Sequence, residues 1–265
     1  MHPTGQKLVA SYLSQPAHAL LLSGPIGIGL YTIAHHIARE IDPHAYIHDV
    51  MPDEKHTITI ETVRGLYKLT RSQRETALVV IIDDAEAMGR EAQNALLKLL
   101  EEPVEHVHFI LTTHLPQQLL ATITSRAQHI ALTPLAMGNT DQLITLDDDA
   151  LCAQIRFLAD GLPAEVVRLT SSDAYLAQKT KLTRDARAFL EGDSYARLLL
   201  VKEFSADREQ AESFLATLTM LVSFMLFQRQ SAEYVSLLEN IETVRSRLQQ
   251  NAHVRTQLTY LVTQL

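Results

Sequence analysis

Up to Pro134, short apolar runs of strand type alternate with helical patterns, and beyond it every periodic segment is helical. That alternation leaves few architectures, because parallel strands need crossovers and the crossovers are usually helices that cover the sheet. Strand-type runs fall at Ala19–Ser23, 57–60, 77–82, 108–112 and 128–132. Between them, helical spacing covers 31–40, 61–73 and 90–102, the last stopped by Pro103, with short helical turns at 117–120 and 122–125. The pattern predicts an α/β domain over 1–134, with a parallel sheet wrapped by helices.

After Pro134, Asp147 or Asp148 can cap a helix that runs to about Asp160 and is closed by Gly161. Pro163 suits the first turn of the next helix. Further helices fit 174–191, 195–204, 207–228, 232–250 and 254–263, punctuated by Gly192 and Asn251. A polar stretch at 179–185 is a candidate linker between a small helical domain and a larger bundle.

Membrane and secretory readings fail on the same pattern. Residues 8–38 carry no Asp, Glu, Lys or Arg, but Pro16, Gly24, Pro25, Gly27 and Gly29 interrupt them. One spanning helix cannot form there, and only Lys7 precedes the stretch as a signal-type cation. The uncharged run 213–228 is shorter than the roughly 20 residues a span needs. It reads as a buried helix, serving either a monomer core or an oligomer face.

The single cysteine, Cys152, excludes an internal disulfide and a multi-cysteine zinc module, and fits a reducing, cytoplasmic setting. With no Trp and 6% aromatic residues, a base-stacking platform is not indicated. The net charge of −8 is evenly spread, with 10 cations against 14 anions up to residue 134 and 13 against 17 beyond. Neither half carries the basic field of a protein that grips DNA alone.

Two motifs carry chemistry. The stretch from Gly24 to Tyr31, Gly-Pro-Ile-Gly-Ile-Gly-Leu-Tyr, follows a strand and opens a helix, where a phosphate-binding loop belongs. Gly24 and Gly29 have the spacing of G-x-x-x-x-G-K-S/T, and Gly27 lies between them, but Leu30 and Tyr31 replace the lysine and the hydroxyl residue. The lysine would neutralise the β/γ-phosphates and the hydroxyl would hold Mg²⁺. Taken alone, the loop reads equally as a Gly-rich turn without a ligand. The second motif, Val79-Val80-Ile81-Ile82-Asp83-Asp84-Ala85-Glu86, has the form of a Walker B strand end. Asp83 would reach a magnesium shell, and Asp84 stands where a water-polarising Glu is usual.

The most specific stretch follows: Asn-Ala-Leu-Leu-Lys-Leu-Leu-Glu-Glu-Pro over 94–103, Phe-Ile-Leu-Thr-Thr-His over 109–114, then Ser125-Arg126-Ala127. Here the chain resembles the clamp-loader branch of the AAA+ ATPases, well over about 1–134 and more weakly over the helical remainder. The resemblance implies a P-loop-type α/β domain, a small helical lid over 135–182 and an all-α collar over 183–265. It implies a subunit of the bacterial DNA polymerase III clamp loader, which opens a sliding clamp and closes it around primed DNA. The expected partners are the motor subunits, the delta subunit, the clamp and, through the assembled complex, primed DNA.

Departures from the family pattern shape the expectation further. Leu30 and Tyr31 break the first motif, His114 replaces a small polar sensor residue, and Ala164 in Gly161-Leu162-Pro163-Ala164 stands where a sensor arginine is found. Each change removes a phosphate-facing group. The expectation is a non-hydrolysing subunit whose Gly24, Gly27, Gly29, Asp83 and Asp84 form a vestigial site. It needs no cofactor of its own, since ATP and Mg²⁺ are bound by partner subunits. Arg126 matches the family's arginine finger, which acts on a neighbour's γ-phosphate. The rival readings are an active gamma-like motor and an AAA+ adaptor outside replication. Arg64, Lys68 and Arg71 share one predicted helix face, with Arg74 just beyond, and read either as a DNA-phosphate stripe or as a solvated face. The twelve histidines show no metal-binding pattern.

Overall fold

The computed structural model describes residues 2–71, 76–102, 104–135, 143–144, 146 and 148–265. Two compact units emerge. The first comprises Met1–Asp147 with Gly161–Val167, and the second Asp148–Asp160 with Arg168–Leu265.

The first unit opens with helix α1 (Pro3–Ser14), which the sequence pattern does not announce. Strand β1 (Ala19–Ser23), helix α2 (Leu30–Ile41), strand β2 (Tyr46–Val50), helix α3 (Ile60–Thr70) and strand β3 (Leu78–Ile82) follow. Next come α4 (Arg90–Glu101), β4 (Val107–Thr113), the short helix α5 (Ala121–Thr124) and β5 (Gln128–Ala131). The strands form one parallel sheet in the order β2-β3-β4-β1-β5.

The β-period of two explains the layering. Leu21, Val80, Ile82, Phe109 and Leu111 face one core, shared with Val63, Leu66 and Leu96 of α3 and α4. Leu20, Leu22, Val79, Ile81, Ile110 and Ile130 face the other, shared with Leu30, Ala34 and Ile37 of α2. Each fully buried aliphatic side chain contributes about 1.5–3 kcal/mol. Because both faces are covered, β1 and β3 are continuous apolar runs rather than alternating ones.

Two local expectations are corrected. The stretch 57–60 is not a strand of the sheet; Ile58 makes one isolated bridge to Met88, and Thr59 caps α3 by accepting from the Thr62 amide. The strand at this edge is β2, only partly covered, whose Tyr-Ile-His-Asp-Val pattern is interrupted by His48 and Asp49 and so does not stand out. The turn expected at 117–120 is a 3-10 turn at Pro116–Gln118. Residues 72–73 of the expected helix 61–73, with Arg74, and Pro103 lie outside the described residues.

The second unit is all helical: α6 (Asp149–Ala159), α8 (Asp173–Glu191), α9 (Ser194–Phe204), α10 (Arg208–Arg229), α11 (Ala232–Gln249) and α12 (Val254–Val262). Helix α7 (Pro163–Ser171) begins in the first unit. Asp148 caps α6 through the amides of Ala150 and Leu151; Asp147 is outside the described residues. The candidate linker 179–185 is corrected as well, since it lies inside the unbroken helix α8. Its polar residues pair with neighbours, Lys181 reaching Glu203 at 2.7 Å and Asp185 at 3.9 Å.

The core of this unit centres on α10. Phe214 is fully buried, stacked on Phe204 at 4.2 Å between ring centroids and edge-on to Phe189 at 5.4 Å. Helix α10 is long and apolar enough to cross a membrane by composition, but Phe214, Leu215, Leu218, Leu221 and Val222 are buried among the other helices. The buried-helix reading of 213–228 therefore holds for 214–222, while beyond Val222 the helix is partly exposed, with Phe227 85% exposed.

Candidate functional site

The strand order places β4 between β1 and β3, so both candidate motifs end at the carboxyl edge of the sheet with β4 linking them. Such an edge, where strand order reverses, is where α/β sheets hold ligands. Gly24 leaves β1 and its amide donates to the Thr113 carbonyl at 3.3 Å. Gly27 and Gly29 have φ of +87° and +91°, conformations that L-residues rarely adopt, and Gly29 is the N-cap of α2. The loop therefore has the backbone that its glycines imply.

Its side-chain chemistry is different. Leu30, where the phosphate lysine would be, is 3% exposed and packs in the apolar layer under α2. Tyr31 lies edge-on to His35 at 4.5 Å. Burial first, and the Asp49 carboxylate hydrogen-bonded to it second, hold its hydroxyl above the ordinary phenol pKa. Asp49 also accepts from His35 Nε2 at 2.9 Å. The hydroxyl at position 31 is thus engaged with β2.

The segment 161–165 closes over the loop within the same unit. The Ala164 amide donates to the Gly27 carbonyl at 3.0 Å, and the Leu135 amide donates to the Gly161 carbonyl at 2.9 Å. A Cβ placed at Gly27 would stand 3.5 Å from both Glu165 and Leu162, and one at Gly29 would stand 3.7 Å from the Ala164 methyl. At the position read as the counterpart of a sensor arginine there is a methyl group seated against the loop.

At the end of β3, the Asp83 amide donates to the Val50 carbonyl at 2.9 Å. Its carboxylate accepts from the Thr112 hydroxyl at 2.6 Å, and the same hydroxyl accepts from the Asp84 amide at 3.1 Å. Asp84 turns through a left-handed conformation with φ of +47°. Burial and, second, the charge of Asp83 raise its carboxyl pKa above the ordinary value. His114 joins the two motifs: its Nδ1 lies 2.7 Å from the Gly24 carbonyl and its Nε2 lies 3.6 Å from Asp84. A carbonyl only accepts, so Nδ1 carries the proton. The His114 amide donates to Glu86 at 2.8 Å.

The structure therefore brings Gly24, Asp83, Asp84 and His114 together. Thr112, Asp49 and Glu86 also take part, and the sequence pattern gives them no role; Thr112 is one letter of the 109–114 strand and Glu86 the last letter of the Asp83 motif. Arg126 belongs to a different place. It follows α5, where Nη1 donates to the Thr122 carbonyl at 3.0 Å and Nη2 pairs with Glu101 at 2.9 Å. Arg64, Lys68 and Arg71 are exposed along α3 and its C-cap, and among the described residues none has an ion-pair partner.

Comparison with known proteins sets this geometry in a lineage. A family model described as DNA polymerase III, delta subunit matches residues 40–136. The delta' subunit of Escherichia coli DNA polymerase III is 30% identical over 253 residues, covering 83% of this chain and 74% of that protein. Its namesake from Pseudomonas aeruginosa is 32% identical over 186 residues, covering 59% of this chain and 56% of that protein. Among solved structures, a DNA polymerase III gamma subunit-related protein from Thermotoga maritima superposes with a TM-score of 0.52 at 18% identity, over 98% of this chain and 97% of that one. At that identity the likeness concerns the fold alone. Conserved architecture, motif order and the delta' match together give the lineage: this chain belongs to the clamp-loader subunit family of bacterial DNA polymerase III.

Proposed function

We propose that this chain is the delta'-type subunit of the clamp loader, a non-hydrolysing member that helps open the sliding clamp and load it onto primed DNA. One observation carries the reading: Leu30 is buried in the apolar layer at the position of the phosphate lysine. Mg-ATP does not fit the residues present. No ammonium faces the loop from position 30, the Tyr31 hydroxyl is engaged by Asp49, and Ala164 is held against Gly27. Each missing charge-assisted hydrogen bond removes roughly 1.5–3 kcal/mol of phosphate affinity. The Asp83–Thr112–Asp84 linkage and the His114 contacts then act as internal ties at the sheet edge.

In this reading Arg126 serves in trans, offering its guanidinium to the γ-phosphate held by a neighbouring motor subunit, which also holds the Mg²⁺. Its side chain is 37% exposed, so it can be reached from outside the fold. The helical unit holds the chain against the motor subunits and the delta subunit. On α9, Tyr195, Leu198 and Leu199 share one face and are 71%, 45% and 52% exposed, which suits such contact. Arg64, Lys68 and Arg71 would meet DNA phosphates within the assembled complex. The setting is the bacterial cytoplasm.

Titration calorimetry with Mg-ATP and a phosphate-release assay on the isolated chain test the first part. The expected result is neither tight binding nor turnover; turnover lost in Asp83→Ala would establish a motor instead. A reconstituted loader carrying Arg126→Ala tests the second part. DNA-stimulated ATPase and clamp loading should fall while assembly persists, and Arg126→Lys should not restore them, because one ammonium lacks the fork geometry.

A further inference from the structure

We propose that Glu101 is a positioning residue that holds Arg126 in standby and competes with a neighbour's γ-phosphate for its guanidinium; this rests on the trans-acting reading of Arg126. Glu101 is the last residue of α4 and Arg126 lies just past α5, so the pair joins two elements of one unit. The backbone of Arg126 is fixed, its amide donating to the Ile123 carbonyl at 3.0 Å. Both terminal nitrogens of its side chain are engaged, Nη1 by the Thr122 carbonyl at 3.0 Å and Nη2 by Glu101 at 2.9 Å.

A carboxylate at a helix C-terminus faces the negative end of the helix dipole, an unfavourable place for it without a cation. Arg126 supplies that cation. Conversely, Glu101 neutralises the charge and claims part of the planar edge that a phosphate would need. The pair is 37% and 49% exposed, so water screens it and its strength is modest. A phosphate with higher charge can displace the carboxylate without unfolding anything. Glu102 is the built-in control: it carries the same charge one residue later, is exposed, and makes no ion pair among the described residues.

The experiment compares reconstituted loaders carrying Glu101→Gln, Glu101→Asp, Glu102→Gln, Arg126→Ala and the Glu101→Gln/Arg126→Ala pair. Glu101→Gln keeps the side-chain shape and removes the charge. It should raise ATPase measured without DNA by about two- to five-fold, the range expected for releasing an exposed ion pair. Glu101→Asp should stay nearer to wild type, Glu102→Gln should match it, and the melting temperature of the isolated Glu101→Gln chain should hardly move. The gain should vanish when Arg126 is already alanine. Unchanged or lowered ATPase in Glu101→Gln overturns the standby role while leaving the trans role of Arg126 intact. The same gain in the Arg126→Ala background also overturns it. A loader indifferent to Arg126→Ala alone removes the reading of Arg126 and the standby role with it.

Discussion

The Thr112 hydroxyl lies 2.6 Å from the Asp83 carboxylate and accepts from the Asp84 amide at 3.1 Å, so one buried side chain on β4 ties down both acids at the end of β3. This is the tightest tie at the sheet edge. Thr112→Val keeps the shape but leaves the Asp84 amide and the Asp83 carboxylate without that partner. The loss should be about 1.5–3 kcal/mol in a urea melt. Thr112→Ser, which keeps the hydroxyl, should lose clearly less.

Asp84 makes stability depend on pH in a direction that can be worked out. Burial and the neighbouring Asp83 raise its pKa in the folded chain, so the folded state holds the proton more tightly than the unfolded one does. As pH rises above the ordinary value of 3.8, the unfolded chain loses its proton first and stability falls. The cost grows with pH until the folded chain also gives up the proton. Asp84→Asn should therefore melt higher than wild type near neutrality, with the advantage shrinking as pH falls towards 3.8. Asn also tolerates the left-handed backbone at this position. Paired melts of variant and wild type across pH check the sign.

Two glycines should respond in opposite ways. Gly161 has φ of +75°, and a Cβ there would collide with the Leu135 carbonyl oxygen. Gly161→Ala should cost at least about 2–4 kcal/mol by denaturant melt, from backbone strain and steric clash together. Gly65 is exposed in the middle of α3, and nothing lies within 4 Å of a Cβ placed there. Gly65→Ala should stabilise the protein by about 0.5–1 kcal/mol through helix propensity and a less flexible unfolded chain.

Phe214 holds the helical unit together between Phe189 and Phe204. Its truncation to alanine removes a stacked and an edge-on partner and leaves a cavity in α10. The expected loss is about 3–5 kcal/mol. Hydrogen exchange should then show the protection of α8 and α10 collapsing, and unchanged protection there would mean that the core closes around the hole.

The sequence by itself determined the elements whose signals are local. The apolar runs of β1 and β3 could only be strands covered on both faces, and Asp148, Asp193 and Asp207 cap the helices they precede through their own side chains. Gly27 and Gly29 marked a Gly-rich turn, and the structure shows both in left-handed backbone. Tertiary structure decided what local spacing cannot encode. The edge strand β2 pairs with β3 although His48 and Asp49 interrupt its apolar pattern and it is only partly covered, and α8 runs unbroken through a stretch that reads as a linker because Leu182, Ala186 and Phe189 pack it into the helical core. The same holds at the sites: Thr112 meets Asp83, Ala164 meets Gly27 and Arg126 meets Glu101 across many intervening residues. A helix or a cap depends on neighbours within one turn, which the sequence writes out. These pairings depend on the strand order β2-β3-β4-β1-β5 and on which helix ends it brings side by side, and only the folded chain sets that.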